Sequence, residues 1–137
     1  MLQVDGTPGF PPRGVAGLGI VVRTLDGTIL ASRCIRAPAG TNNEAEYQAL
    51  IAGLKFVRQR YPNVRLRCLT DSQIVVEQLA GRSSVRAAPL QPLHTQALHL
   101  LQEFAAVEIV HIPRTLNRLA DALAWEALGG RRRLFRR

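Results

Sequence analysis

The chain has 137 residues, 47% of them hydrophobic and 20% charged, which fits one folded domain and excludes a disordered or fibrous protein. No window approaches the roughly 18 uncharged apolar residues of a membrane span. The opening residues lack the basic and apolar regions of a signal peptide, so the expectation is a cytoplasmic protein, taken as a monomer. Eighteen basic residues against ten acidic give a net charge of +8. Five of the positive charges, Arg131, Arg132, Arg133, Arg136 and Arg137, lie at the C-terminus; without them the net charge is +3. A basic balance suits an anionic polymer. Lys55 is the only lysine, however, and a genome's base composition produces the same skew. The expected domain covers 1–128. Residues 129–137 form a basic, mobile tail that either grips phosphate or stays solvated, and composition supports both.

Met1 to Asp5 reads as a short strand, and Gly6 to Gly17, rich in glycine and proline, as a loop. Leu18 to Thr24 is rich in β-branched residues; Asp26-Gly27 then signals a hairpin into a strand over Thr28 to Ile35. Thr41, Asn42 and Asn43 are capping residues for a helix from Asn43 to Arg60, with Ala49, Leu50, Gly53, Leu54 and Val57 inward. Val64 to Thr70 is a strand. Asp71-Ser72 caps a short helix stopped by Gly81. Pro89 to Phe104 is a helix, Val107 to Ile112 the last strand, and Pro113 to Leu116 a turn. Asn117 to Leu128 is the last helix, with Leu116, Ala120, Leu123, Ala124 and Ala127 as its core stripe. Cys34 and Cys68 fall in apolar runs and read as buried free thiols. The order β-β-β-α-β-α-α-β-α implies an α/β fold, one mixed five-stranded sheet with helices on both faces.

Four acids fall where such a sheet gathers them. Asp5 lies on the first strand and Asp71 at the carboxyl end of the fourth, the end where ligand sites form in open α/β sheets. Glu46 precedes Ala49, Leu50 and Gly53 by three, four and seven positions, so it lies on a core-facing stripe. Glu44 is turned about 200° away and faces water. Asp121 borders the last helix's stripe. Each acid alone has an ordinary explanation as a cap, a first-turn acid or a solvated residue. Together they repel unless cations hold them, and hard oxygen ligands favour Mg²⁺ or Mn²⁺. Two such ions about 4 Å apart catalyse in-line displacement at phosphorus. His94 and His99, five apart, do not share a helix face as zinc ligands would. Ser83-Ser84 has no evident base. Trp125 and Phe104 fill core or rim space.

Four blocks now fall in order: Asp5-Gly6-Thr7, Thr41-Asn42-Asn43-Glu44-Ala45-Glu46-Tyr47, Thr70-Asp71-Ser72-Gln73, and Asn117-Arg118-Leu119-Ala120-Asp121-Ala122-Leu123-Ala124. With these the chain resembles type 1 ribonuclease H, in its short bacterial and archaeal form. The resemblance implies a metal-dependent endonuclease that hydrolyses the RNA strand of RNA/DNA hybrids, leaving 5′-phosphate and 3′-hydroxyl ends. It implies Asp5, Glu46, Asp71 and Asp121 as catalytic ligands to two Mg²⁺ ions, with Mn²⁺ a substitute. Thr41 would meet a phosphate, and Asn42, Asn43 and Gln73 the minor groove, where short amides sense 2′-hydroxyls; capping alone also explains Asn42 and Asn43. The family's loop histidine is missing. His111 reads as a strand residue, and Arg114 is the candidate cation near the scissile phosphate. No basic protrusion fits between Gly81 and Pro89, so Arg82, Arg86 and the tail would supply part of the contact. A non-catalytic nucleic-acid-binding module of this fold and a nuclease also acting on double-stranded RNA are the alternatives.

Overall fold

The computed structural model describes residues 1–8 and 14–129. Strands β1 (Leu2–Thr7), β2 (Val15–Arg23) and β3 (Ile29–Pro38) are followed by helix α1 (Asn42–Arg60) and strand β4 (Arg65–Thr70). Helices α2 (Gln73–Leu79) and α3 (Gln91–Gln102), strand β5 (Ala106–His111) and helix α4 (Arg118–Ala127) complete the chain order. Single 3₁₀ turns at Ala88–Leu90 and Arg114–Leu116 precede α3 and α4. The sheet runs β3-β2-β1-β4-β5. Its first three strands are antiparallel, while β4 pairs in parallel with both β1 and β5. The expected element order and mixed five-stranded sheet are therefore present.

Helix α1 begins where a capping box closes. The Thr41 hydroxyl accepts from the Glu44 N–H at 3.2 Å, and the Glu44 carboxylate accepts from the Thr41 N–H at 2.7 Å. The cap is thus Thr41 alone, and Glu44 folds back onto it rather than extending into water. The inward stripe Ala49, Leu50, Gly53, Leu54 and Val57 is buried as its spacing predicts. A Cβ on Gly53 would stand 2.9 Å from Val4, so α1 lies flat on β1 because this residue has no side chain. Helix α4 covers the opposite face by the same device on the partner strand. Gly17 and Gly19 of β2 approach the backbone carbonyls of Ala124 and Ala120 so closely that a Cβ on either would fall 1.9 Å away.

Four expectations are corrected. Gly6 and Thr7 belong to β1, and β2 starts at Val15, so the loop is shorter than the glycine and proline content suggests. Leu116 is 65% exposed, because helical periodicity starts only at Arg118. Cys34 is exposed on edge strand β3, whereas Cys68 is buried on central β4. The last helix runs Arg118–Ala127, so Asn117 lies just before it, and its side chain makes no capping bond and points into the sheet. No helix among the described residues is long and apolar enough to cross a membrane. The Arg-rich tail beyond Gly129 lies outside the described residues.

Candidate active site

Strands β1 and β4 run in parallel, with Leu2 beside Cys68 and Gln3 beside Leu69. Carrying that register forward sets Asp71, one residue past β4, next to Asp5. Glu46 arrives from the first turns of α1. It gets there because Gly6 has no side chain: a Cβ at Gly6 would lie 2.1 Å from the Ala45 carbonyl oxygen. The Gly6 N–H then donates to Glu46 Oε1 at 2.7 Å and to Asp5 Oδ1 at 3.1 Å, one donor fixing two carboxylates. Carboxylate oxygens of Asp5, Glu46 and Asp71 all lie within 4.8 Å of one another.

Their electrostatics are unfavourable without a cation. Asp5 and Glu46 are buried and Asp71 is half-buried. Burial, reinforced by the negative charges of Glu46 and Asp71, drives the Asp5 carboxyl far above the usual carboxylate range. Burial also pushes Glu46 up to about 7, against the stabilising bonds from Asp5 and the Gly6 N–H. Asp121, in the first turn of α4, adds a smaller repulsion on Asp5 but stands outside the trio.

The other expected residues gather around this edge. Asn42 and Asn43 open α1, and among the described residues neither amide has a hydrogen-bond partner, so capping does not occupy them. Gln73 is exposed at the start of α2, two residues past Asp71. The Ile112 N–H donates to the Thr70 carbonyl at 2.9 Å, so the turn carrying exposed Arg114 leaves the sheet beside Asp71. His111 sits on β5 opposite Thr70 and is exposed. Helices α1 and α2 are tied together one residue past Glu46, where the Tyr47 hydroxyl donates to Gln78 Oε1 at 2.6 Å.

Two residues were given no task by sequence reasoning. Gly6 follows Asp5 directly, and its position was the available signal. Asn117 is fully buried; its Nδ2 donates to the Val4 carbonyl at 2.8 Å and reaches Asp71 Oδ2 at 3.5 Å. Its place four residues before Asp121 was the signal there.

Comparison with known proteins agrees with this geometry. A family model described as "Reverse transcriptase-like" matches residues 4–127. Ribonuclease HI of Halobacterium salinarum is 40% identical over 116 residues, covering 84% of this chain and 57% of that protein. A crystal structure of RNase H1 from Halobacterium salinarum superposes with a TM-score of 0.87 at 36% identity, covering 93% of this chain and 96% of that one. A bifunctional protein of Mycobacterium tuberculosis is 38% identical over 129 residues, 93% of this chain but 35% of its own length. The chain thus spans between a third and three-fifths of these two curated relatives. LC11-RNase H1, solved in complex with an RNA/DNA hybrid, superposes with a TM-score of 0.84 at 28% identity, covering 93% of this chain and 95% of that one. With the carboxylates on the carboxyl edge of a β3-β2-β1-β4-β5 sheet and a family match over nearly its whole length, this chain belongs to the type 1 ribonuclease H family.

Proposed function

We propose that this chain is an endoribonuclease that hydrolyses the RNA strand of RNA/DNA hybrids, with residues 1–128 as the ribonuclease H domain. The observation that carries this reading is the convergence of Asp5, Glu46 and Asp71 oxygens within 4.8 Å at the carboxyl edge of two parallel strands. The residues fit a divalent metal site. All donors are hard carboxylate oxygens, and Asp5 and Glu46, raised first by burial and then by neighbouring negative charge, sit where a cation is favourable. Asp5, Glu46, Asp71 and Asp121 would hold Mg²⁺ or Mn²⁺, two ions during turnover. Bound there, the metals supply Lewis-acid stabilisation of the attacking water and of the leaving 3′-oxygen.

The rest of the work falls to the chain. The Gly6 N–H and the Asn117 amide orient three of the carboxylates. Thr41 lies at the N-terminus of α1, where the helix dipole favours a phosphate. Asn42, Asn43 and Gln73 present amides that both donate to and accept from 2′-hydroxyls, which separates an RNA strand from DNA. Arg114 supplies a fixed positive charge near the scissile phosphate and takes the place of the family's loop histidine. The hybrid bound by the related LC11 enzyme supports this choice of substrate.

The test is cleavage of a labelled hybrid in Mg²⁺ and in Mn²⁺ by the wild type and by Asp71→Asn, with RNA/RNA and DNA/DNA duplexes alongside. RNA-strand products bearing 5′-phosphates, absent with the variant, are expected. Cutting of RNA/RNA as well would widen the substrate class to double-stranded RNA. Hybrid binding without cutting in either metal would leave a binding module instead.

A further inference from the structure

One end of the carboxylate cluster continues into a line of buried side chains that catalysis does not need on its face. Arg23, half-buried near the end of β2, donates from Nε to Gln3 Oε1 at 2.7 Å and from Nη1 to the Gly27 carbonyl at 2.9 Å. Gln3 is buried on β1, on the face opposite Leu2 and Val4. Its Nε2 donates to the Leu116 carbonyl at 3.1 Å and reaches Asn117 Oδ1 at 3.5 Å. Asn117 Nδ2 then faces the Val4 carbonyl and Asp71 Oδ2.

The direction of this line is fixed by chemistry. A guanidinium only donates. Arg23 therefore turns the Gln3 oxygen toward itself and the Gln3 NH₂ toward Leu116 and Asn117. That NH₂ in turn, together with the Val4 carbonyl that accepts from Asn117 Nδ2, holds the Asn117 oxygen away from Asp71 and its NH₂ toward the carboxylate. The Leu116 contact also pins the turn that carries Arg114 and leads into the helix bearing Asp121. We propose that Gln3 is a positioning residue: oriented by Arg23, it acts with the Val4 carbonyl to set the amide of Asn117 so that a donor, not an acceptor, faces the metal ligand Asp71. The metal-ligand part of this inference rests on the function proposed above; the amide orientation does not.

The decisive variant is Gln3→Glu. It is isosteric and keeps the pair with Arg23, so it fills the same space. Its second oxygen, however, repels the Leu116 carbonyl and Asn117 Oδ1, and because the Val4 carbonyl opposes turning the Asn117 amide over, the amide is displaced from Asp71. Gln3→Met keeps the volume and removes the bias; Arg23→Lys keeps a donor-only group. In metal-free protein, side-chain amide NMR should show displaced Asn117 NH₂ signals in Gln3→Glu and near-wild-type signals in Arg23→Lys. Calorimetric Mn²⁺ affinity should fall about tenfold in Gln3→Glu, less in Gln3→Met and little in Arg23→Lys, the size seen when groups supporting a metal ligand are altered. On hybrid, kcat should follow the same order with KM within about twofold.

Packing alone predicts the reverse order, with Gln3→Glu above Gln3→Met because the hydrogen bond from Arg23 is retained. That order, or unchanged Asn117 amide signals in Gln3→Glu, would overturn the proposal. If the wild type neither binds Mn²⁺ nor cuts hybrid, the nuclease reading fails, and the amide signals still decide whether Gln3 orients Asn117.

Discussion

Asp5 shows how one residue can work against its own fold. Its carboxyl is buried beside two other acids, and its pKa is raised by that burial first and by their charges second. Unfolded, it titrates near 4 like any aspartate. At neutral pH the folded, metal-free chain therefore holds more protons than the unfolded chain, and stability falls as pH rises. The window opens near pH 4 and runs past the folded value of Glu46, about 7. In chelator, Tm should decline across that interval; in millimolar Mg²⁺ the decline should flatten, because a cation bound only by the folded state offsets the repulsion. Asp5→Asn removes the cost together with the ligand. It should raise the metal-free Tm at pH 7.5 by about 5 °C while abolishing hydrolysis. Thermal scans with and without Mg²⁺ read both effects, and a variant less stable than wild type in chelator would contradict the argument.

The elements are held at the right distances by glycines, and here the sequence is both informative and misleading. The alternation of strands and helices, the α1 stripe and the carboxyl-edge position of Asp71 were legible, because periodicity and strand ends are local patterns. The extent of β1 and β2 was not. Gly6 and Gly17 read as loop residues, yet each sits in a strand because a helix backbone rests on it. Local propensity carries no record of what packs above a residue. Leu116 failed for a related reason: the last helix's spacing was carried back past its true start at Arg118. Cys34 failed because edge strand β3 is left uncovered, a property of the assembled sheet. This reading of the glycines is testable. Gly19→Ala would place its methyl 1.9 Å from the Ala120 carbonyl, against backbone that cannot yield as a side chain can. Overpacking costs about 1–3 kcal/mol, so Tm should fall by about 10 °C. Since Asp121 follows Ala120, kcat should fall beyond what the unfolded fraction explains. Gly27→Ala, at a turn with open space around it but φ of +94°, should cost only about 1 kcal/mol and leave kcat unchanged. Circular dichroism melts and single-turnover rates on the same preparations separate the two.

At the scale of the whole molecule the charge is divided between chemistry and capture. The chain concentrates acids at one sheet edge while carrying +8 overall. Helix α4 ends close to that edge. The Ala127 carbonyl accepts from Arg36 Nε at 2.8 Å, and Leu128 lies against Gly17, the β2 partner of Thr7. Gly129, the last described residue, therefore lies near the strand that carries Asp5, and five arginines follow it in the sequence. Every phosphate neutralised by an arginine releases condensed counterions, with a slope of log K against log salt of roughly −0.9 per contact. Without a basic protrusion between Gly81 and Pro89, this end is the densest run of positive charge the chain can offer a hybrid. Removing residues 131–137 should leave the melting temperature and the kcat at saturating hybrid unchanged, since this segment contributes none of the site's carboxylates or amides. It should raise KM and make the salt slope shallower by roughly 2–4. Arg82→Ala with Arg86→Ala should change the slope by less, because Arg82 is already paired with Glu77. Filter-binding titrations on uncleavable hybrid from 50 to 300 mM KCl would measure it. An unchanged slope after truncation would assign capture to the folded body, whose net +3 would then have to carry the whole electrostatic attraction.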